Sequence, residues 1–216
     1  MIFPPELVIF DCDGVLVDSE PLSNLVIRDN LAHHGLDLSL DQIVDLFVGG
    51  TMAGVMRTAR DMGAVLPEDW LDSIYDDIFD VLGREVELIP GVVSVLDALD
   101  AAEIPYAVGS NGPHRKMEIT LGRTGLIDRL QGRIFSREDV PNPKPAPDVY
   151  LKAAREAGIS PERCVVVEDS VSGARAGKAA GMFTCGYTAE SGPERLAPIC
   201  DALFDAMEDL PPLLQI

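Results

Sequence analysis

The sequence predicts an α/β fold with a Rossmann-like parallel-sheet core and an inserted α-helical cap. Three observations predict it. Short apolar runs recur along the chain, as strands buried on both faces do. Helical patterns separate most of them, and strands alternating with helices build parallel sheets with right-handed crossovers. Between about Asp18 and Glu87, in contrast, no run reads as a strand.

Taken in order, Leu7-Val8-Ile9-Phe10 is the first strand, and it ends at Asp11. Helical patterns follow near 21–34, 39–47, 51–62 and 67–84, punctuated by Gly35, Gly49-Gly50 and the stretch from Gly63 to Pro67. Pro90-Gly91 closes this insertion and opens the next helix, with Pro near its start. Tyr106-Ala107-Val108 is the second strand and runs into Gly109-Ser110-Asn111. Cys164-Val165-Val166-Val167 ends at Glu168-Asp169, and Phe183-Thr184-Cys185 and Ala202-Leu203-Phe204 complete the set. Helices are expected near 91–102, 113–124, 146–157 and 170–180. The core is therefore placed at 1–14 and 88–216, and the helical cap at 15–87.

The chain has 216 residues, 47% of them hydrophobic and 25% charged, which is the balance of a soluble globular protein with a sizeable core. Its 17 basic and 36 acidic residues leave a net charge of −19. Such a surface repels nucleic acid and anionic membrane, and no basic stripe offsets it. No apolar run approaches the roughly 20 residues needed to span a bilayer, and MIFPPELVIF does not read as a secretory signal. Cys12, Cys164, Cys185 and Cys200 form no CxxC pair, so buried free thiols in a reducing cytoplasm are expected.

Three strand ends carry polar clusters: Asp11-Cys12-Asp13, Ser110-Asn111 and Glu168-Asp169. Ligands bind outside the carboxyl ends of strands in open parallel sheets, so these distant segments should converge. Lys144, on the Pro-rich loop Asn142-Pro143-Lys144-Pro145, can be aimed at the same place. Four carboxylates that close together need a cation to stay ionised. Hard oxygen ligands suit Mg2+. An ammonium, a hydroxyl, an amide and backbone N–H groups near a helix start favour an anion. Together they describe a phosphoryl pocket. Asp11 can act as nucleophile. Asp13, two residues on along extended chain, points the same way and can serve as acid and base. Asp11 is expected to be held ionised by the metal and Asp13 to be raised. An Asp-x-Asp-Gly turn also opens calcium loops, but the twelfth position from Asp11 is Leu22 where an EF-hand needs glutamate.

These residues resemble the motifs of the haloacid dehalogenase superfamily in its phosphatase form. Asp11-Cys12-Asp13-Gly14-Val15-Leu16-Val17-Asp18-Ser19-Glu20 is similar to the first motif, Ser110-Asn111 to the second, Lys144-Pro145-Ala146-Pro147-Asp148 to the third, and Val167-Glu168-Asp169-Ser170 to the fourth. All four occur in the family's order. The insertion resembles the family's C1 cap, which closes over the site as a lid. The resemblance implies Asp11 as nucleophile and metal ligand. It implies Asp13 as acid/base, binding Mg2+ through its backbone carbonyl, and Asp169 and Glu168 as further metal residues. Ser110, Asn111 and Lys144 would bind the transferring phosphoryl group. The implied reaction is hydrolysis of a small phosphorylated metabolite, a sugar phosphate, through an aspartyl-phosphate.

Within the superfamily, Asp13 separates this chain from the dehalogenases, and the lack of any lysine before Lys116 separates it from the phosphonatases. It looks closest to the branch of β-phosphoglucomutases and 6-phosphogluconate-phosphatase-like enzymes. A mutase is the alternative, but its pattern has histidine where this chain has Ser23. It also has a basic cap motif where this chain reads Phe47-Val48-Gly49-Gly50-Thr51-Met52. Arg57 and Arg60 are the cap's candidates for a second anion. A non-catalytic binding module would have no use for Asp13. A monomer or weak dimer is expected. His33, His34 and His114 read as helix-end or solvated positions, and Trp70, Tyr75 and Phe79 as packing within the cap.

Overall fold

The structure, a computed structural model, describes residues 4–47, 51–189 and 192–216. The chain divides into two compact units, one of residues 1–18 with 88–216 and one of 19–87. The sequence reading starts the helical unit at residue 15, whereas the division falls before Ser19. Val15, Leu16 and Val17 are fully buried, Val17 bridges to Leu88, and the Ile89 N–H donates to the Leu16 carbonyl at 3.0 Å. Those contacts keep the turn with the sheet.

The first unit holds a six-stranded parallel sheet: β1 (Leu7–Phe10), β2 (Tyr106–Ser110), β3 (Ile134–Ser136), β4 (Cys164–Glu168), β5 (Phe183–Tyr187) and β6 (Ala202–Phe204), in the order β3-β2-β1-β4-β5-β6. This is the doubly wound order, and its direction reverses between β1 and β4, where a crevice opens at the carboxyl ends. The register sets Phe10 against both Val108 and Val167. Asp11 and Glu168 therefore leave adjacent strands at the same level, with Ser110 just beyond. β3 is a strand the sequence reading did not find. It is three residues long and, beside Arg133, makes no apolar run that stands out.

The strands of this unit read as unbroken apolar runs because both faces are covered. β1, β2 and β4 are buried at every position. The helices are α5 (Val92–Ala101), α6 (His114–Arg123), α7 (Asp148–Ala157), α8 (Val171–Ala179) and the short α9 (Pro193–Leu196) and α10 (Leu210–Leu214). A Cβ at Gly177 would stand 3.2 Å from Val166 and 2.7 Å from Thr184 Oγ1, so this glycine lets α8 press onto the sheet.

The second unit is all-helical among its described residues: α1 (Glu20–His33), α2 (Leu40–Phe47), α3 (Met52–Asp61) and α4 (Trp70–Glu85). Ile27, Leu31, Ile43, Val55, Trp70, Ile74 and Leu82 form its buried interior. The Trp70 indole N–H donates to Asn30 Oδ1 at 2.7 Å, which satisfies the one polar atom of a fully buried ring. Phe79 is buried as expected, and Tyr75 is half-buried against it. α1 ends at His33, and Gly35 follows with φ +86°. Val48, Gly49 and Gly50, in the stretch where the mutase pattern has its basic motif, lie outside the described residues. No helix among the described residues is long and apolar enough to cross a membrane.

Candidate active site

The carboxyl edge between β1 and β4 gathers the acids. Oxygens of Asp11, Glu168 and Asp169 lie within 4.8 Å of one another. All three are nearly or fully buried, as is Lys144. The Lys144 ammonium sits between two of them, 2.9 Å from Asp11 Oδ1 and 2.6 Å from Glu168 Oε1. Burial of one charge against two partners keeps it protonated: desolvation lowers its pKa, but Asp11 and Glu168 raise it further.

Each group is held by its local fold. β1 stops at Phe10, and the chain then turns. Leu16 N–H and Val17 N–H both return to the Cys12 carbonyl, and Gly14 takes φ +75°. A Cβ at Gly14 would overlap the Asp169 carboxylate, so only glycine admits Asp169 here. The chain bends at Cys12, past the end of β1, and the Asp13 carboxylate meets Lys116 of α6, with Nζ 2.7 Å from Oδ1. Burial by itself would lower the Lys116 pKa, but the Asp13 carboxylate outweighs it and holds the ammonium charged.

Glu168 is saturated with donors. Its Oε1 accepts from Lys144 and, at 2.7 Å, from the Tyr150 hydroxyl. Its Oε2 accepts from the Ser170 N–H at 3.0 Å and the Ser170 hydroxyl at 2.9 Å. That same Ser170 oxygen accepts from the Gly173 N–H and so caps α8. A Cβ at Gly173 would overlap Glu168 Oε1. Burial and the neighbouring Glu168 keep the Tyr150 phenol protonated, and its ring faces the Lys144 ammonium at 4.7 Å.

Ser110 is buried, and its hydroxyl accepts the Gly112 N–H at 2.9 Å. The Asn111 side chain binds the main chain of Lys144: its Oδ1 accepts the Lys144 N–H at 2.9 Å and its Nδ2 donates to the Lys144 carbonyl at 3.1 Å, clamping the backbone that carries the lysine.

Several contributors were not foreseen. Lys116 and Tyr150 carry no motif of their own, and Ser170, although within the fourth motif segment, had no role assigned to it. His114 is not simply solvated: its Nε2 stands 2.9 Å from Asp139 Oδ2, and its N–H donates to Glu138. The Ser136 hydroxyl donates to the Gly112 carbonyl at 2.7 Å. The corner after β3 thus braces the Ser110 loop. Cys12, between the two aspartates, is held as a thiol by burial and by both carboxylates.

Burial pushes the Asp11 carboxyl up to about 7; Lys144 opposes the rise, and Glu168 and Asp13 add to it. The expected ionised Asp11 therefore needs more positive charge than one lysine supplies. The donor set fits Mg2+. Opposite ligands of an octahedral Mg2+ stand about 4 Å apart, comparable to the span of this cluster, and all the donors are hard oxygens. Asp11 and Asp169 are the natural direct ligands, since protein donors already occupy both oxygens of Glu168.

Comparison with known proteins finds one family over most of the chain. A haloacid dehalogenase-like hydrolase family model covers residues 5–181. The 6-phosphogluconate phosphatase of Escherichia coli K12 is 29% identical over 96% of this chain and 94% of its own. Hexitol phosphatase A of the same organism is 29% identical over 94% and 91%. A hydrolase of this family from Deinococcus radiodurans R1, crystallised with bound phosphate and sodium, superposes with a TM-score of 0.84 at 34% identity, covering 99% and 97% of the two chains. With its four motif segments meeting at the switch point of a doubly wound sheet, the chain belongs to the haloacid dehalogenase-like hydrolases and is an enzyme of that family.

Proposed function

We propose that this enzyme is a Mg2+-dependent phosphatase that hydrolyses a small phosphorylated metabolite, a sugar phosphate, through a phosphoaspartate on Asp11. The observation that carries the reading is the convergence of Asp11, Glu168 and Asp169 within 4.8 Å of one another around the Lys144 ammonium. Phosphatase relatives acting on 6-phosphogluconate and hexitol phosphates support the substrate class.

Asp11 and Asp169, with the main chain of Asp13, would hold the metal, and Glu168 would act beside it. Bound there, Mg2+ would supply the positive charge that keeps Asp11 ionised and draws in the phosphoryl oxygens. The Lys144 ammonium and the main-chain N–H groups of the Ser110 loop orient the phosphoryl group. An Asp11 oxygen forms a bond to phosphorus as the phosphorus–alcohol bond breaks, and Asp13 gives its proton to the departing oxygen. Asp13, now a carboxylate, takes a proton from water. That water attacks phosphorus, inorganic phosphate leaves, and Asp11 is restored. By its resemblance to the family's cap, the helical unit would read the leaving group. Within it, Arg60 is engaged by the carbonyls of Leu66 and Pro67 at 3.2 and 3.0 Å, which leaves Arg57 as the stronger candidate for a substrate's second anion. Where the mutase pattern has histidine, the Ser23 hydroxyl donates to the Ser19 carbonyl of its own helix start.

The test is phosphate release from 6-phosphogluconate, glucose 6-phosphate, glucose 1-phosphate and sorbitol 6-phosphate with Mg2+. Release is expected with the wild type and is abolished by EDTA and by Asp11→Asn. Retained turnover in the Asn variant would refute the nucleophile. Conversion of glucose 1-phosphate to glucose 6-phosphate with a bisphosphate activator would select the mutase instead.

A further inference from the structure

Lys116 lies outside the four motif segments, yet its ammonium meets the Asp13 carboxylate at 2.7 Å. Helix α6 turns Lys116 and, one turn later, Thr120 toward the loop that follows β1. Thr120 is fully buried; its hydroxyl donates to the Lys116 carbonyl at 3.1 Å and also meets the Cys12 thiol. The helix therefore grips two consecutive residues of the loop, Cys12 and Asp13. Both side chains of the Lys116–Asp13 pair are only 19% exposed, so the pair is shielded well beyond an ordinary surface ion pair.

The two oxygens of Asp13 are placed differently. Oδ1 meets the Lys116 ammonium at 2.7 Å. Oδ2 is turned toward Gly112, where an added Cβ would stand 3.5 Å from Oδ2 and 3.2 Å from Ser110 Oγ. One oxygen faces the helix, and the other faces the loop proposed to receive the phosphoryl group.

We propose that Lys116 is the positioning residue for Asp13: it pins Oδ1 so that Oδ2 is the oxygen that protonates the departing alcohol. This rests on the phosphatase reading above. As the Asp11–phosphorus bond forms, the phosphorus–oxygen bond to the alcohol breaks, and its electron pair takes the proton from Oδ2. Lys116 itself touches neither the substrate nor the reacting atoms. An acid displaced by about 1 Å loses on the order of 100-fold in rate. The loss should scale with how badly the leaving group needs a proton.

The experiment compares kcat/KM for the fastest sugar phosphate of the panel with kcat/KM for p-nitrophenyl phosphate, whose phenolate leaves without a proton. Wild type, Lys116→Met, Lys116→Arg and Asp13→Asn are measured with Mg2+ saturating. Lys116→Met should lose about 10- to 100-fold on the sugar phosphate and less than about 3-fold on the nitrophenyl ester, in line with the rate a positioned acid contributes. Lys116→Arg should recover most of the loss. Equal losses on both esters, or a loss confined to KM, would overturn the inference. If Lys116→Met does not fold, Lys116→Gln takes its place under the same two outcomes. Asp13→Asn separates the two levels of the argument. If it shows no leaving-group dependence, the acid assignment fails and the Lys116 inference with it. If it shows the dependence and the lysine variants do not, only Lys116 falls.

Discussion

Asn111 holds Lys144 by its backbone: the amide of one residue closes a two-way hydrogen-bonded pair with the N–H and carbonyl of the other, at 2.9 and 3.1 Å. The second motif thus builds the third, because it fixes the loop from which the Lys144 ammonium reaches Asp11 and Glu168. Asn111→Ala should leave both main-chain groups without these partners. The expected cost is about 1–3 kcal/mol of stability, read by urea unfolding. Catalysis should fall about 10- to 100-fold in kcat/KM as the ammonium drifts. Asn111→Asp, which keeps the acceptor and loses the donor, should lie between the two.

Tyr150→Phe isolates one bond of the network. The ring stays under the Lys144 ammonium, while Glu168 loses its phenolic donor and keeps Lys144 and Ser170. A hydrogen bond to a charged acceptor contributes about 1.5–3 kcal/mol, so the unfolding midpoint in urea should drop by that equivalent.

Two glycines in helices predict opposite signs. Gly173→Ala places a methyl group on Glu168 Oε1, so α8 or the carboxylate must move. Stability should fall by about 1–3 kcal/mol and phosphatase activity should be largely lost. Gly122→Ala, in α6, meets nothing within 4 Å and should stabilise by up to about 1 kcal/mol. Thermal melting of the two variants side by side checks both.

Asp11 makes the metal-free enzyme sensitive to pH. Its carboxyl is raised from 3.8 to about 7, chiefly by burial. Between these values the folded state holds a proton that the unfolded chain has released. Stability is therefore highest on this account below about pH 4, falls as pH rises toward 7, and is flat beyond. In EDTA, urea unfolding across pH 4 to 8 should show that decline, and Asp11→Asn should remove it.

Much of the core was legible in the sequence, and the reason is physical. A strand buried on both faces must be apolar throughout, so Leu7–Phe10 and Cys164–Val167 announce themselves, and the polar residue that ends each run marks the binding edge. Lys144 was legible through its Pro-rich loop. β3 was not, because three residues beside an arginine carry no periodicity. The pairings Lys116–Asp13, Tyr150–Glu168 and His114–Asp139 were not legible either. Each joins side chains from separate elements, and nothing local in the chain records which helix face meets which loop.

The measurement that bears most directly on the central claim is mass spectrometry of enzyme quenched in acid during turnover of a sugar phosphate with Mg2+. The account predicts a peptide heavier by one phosphoryl group, with the added mass on Asp11, absent with EDTA and absent from Asp11→Asn. Turnover with no such adduct, in an Asn variant that still releases phosphate, would contradict it.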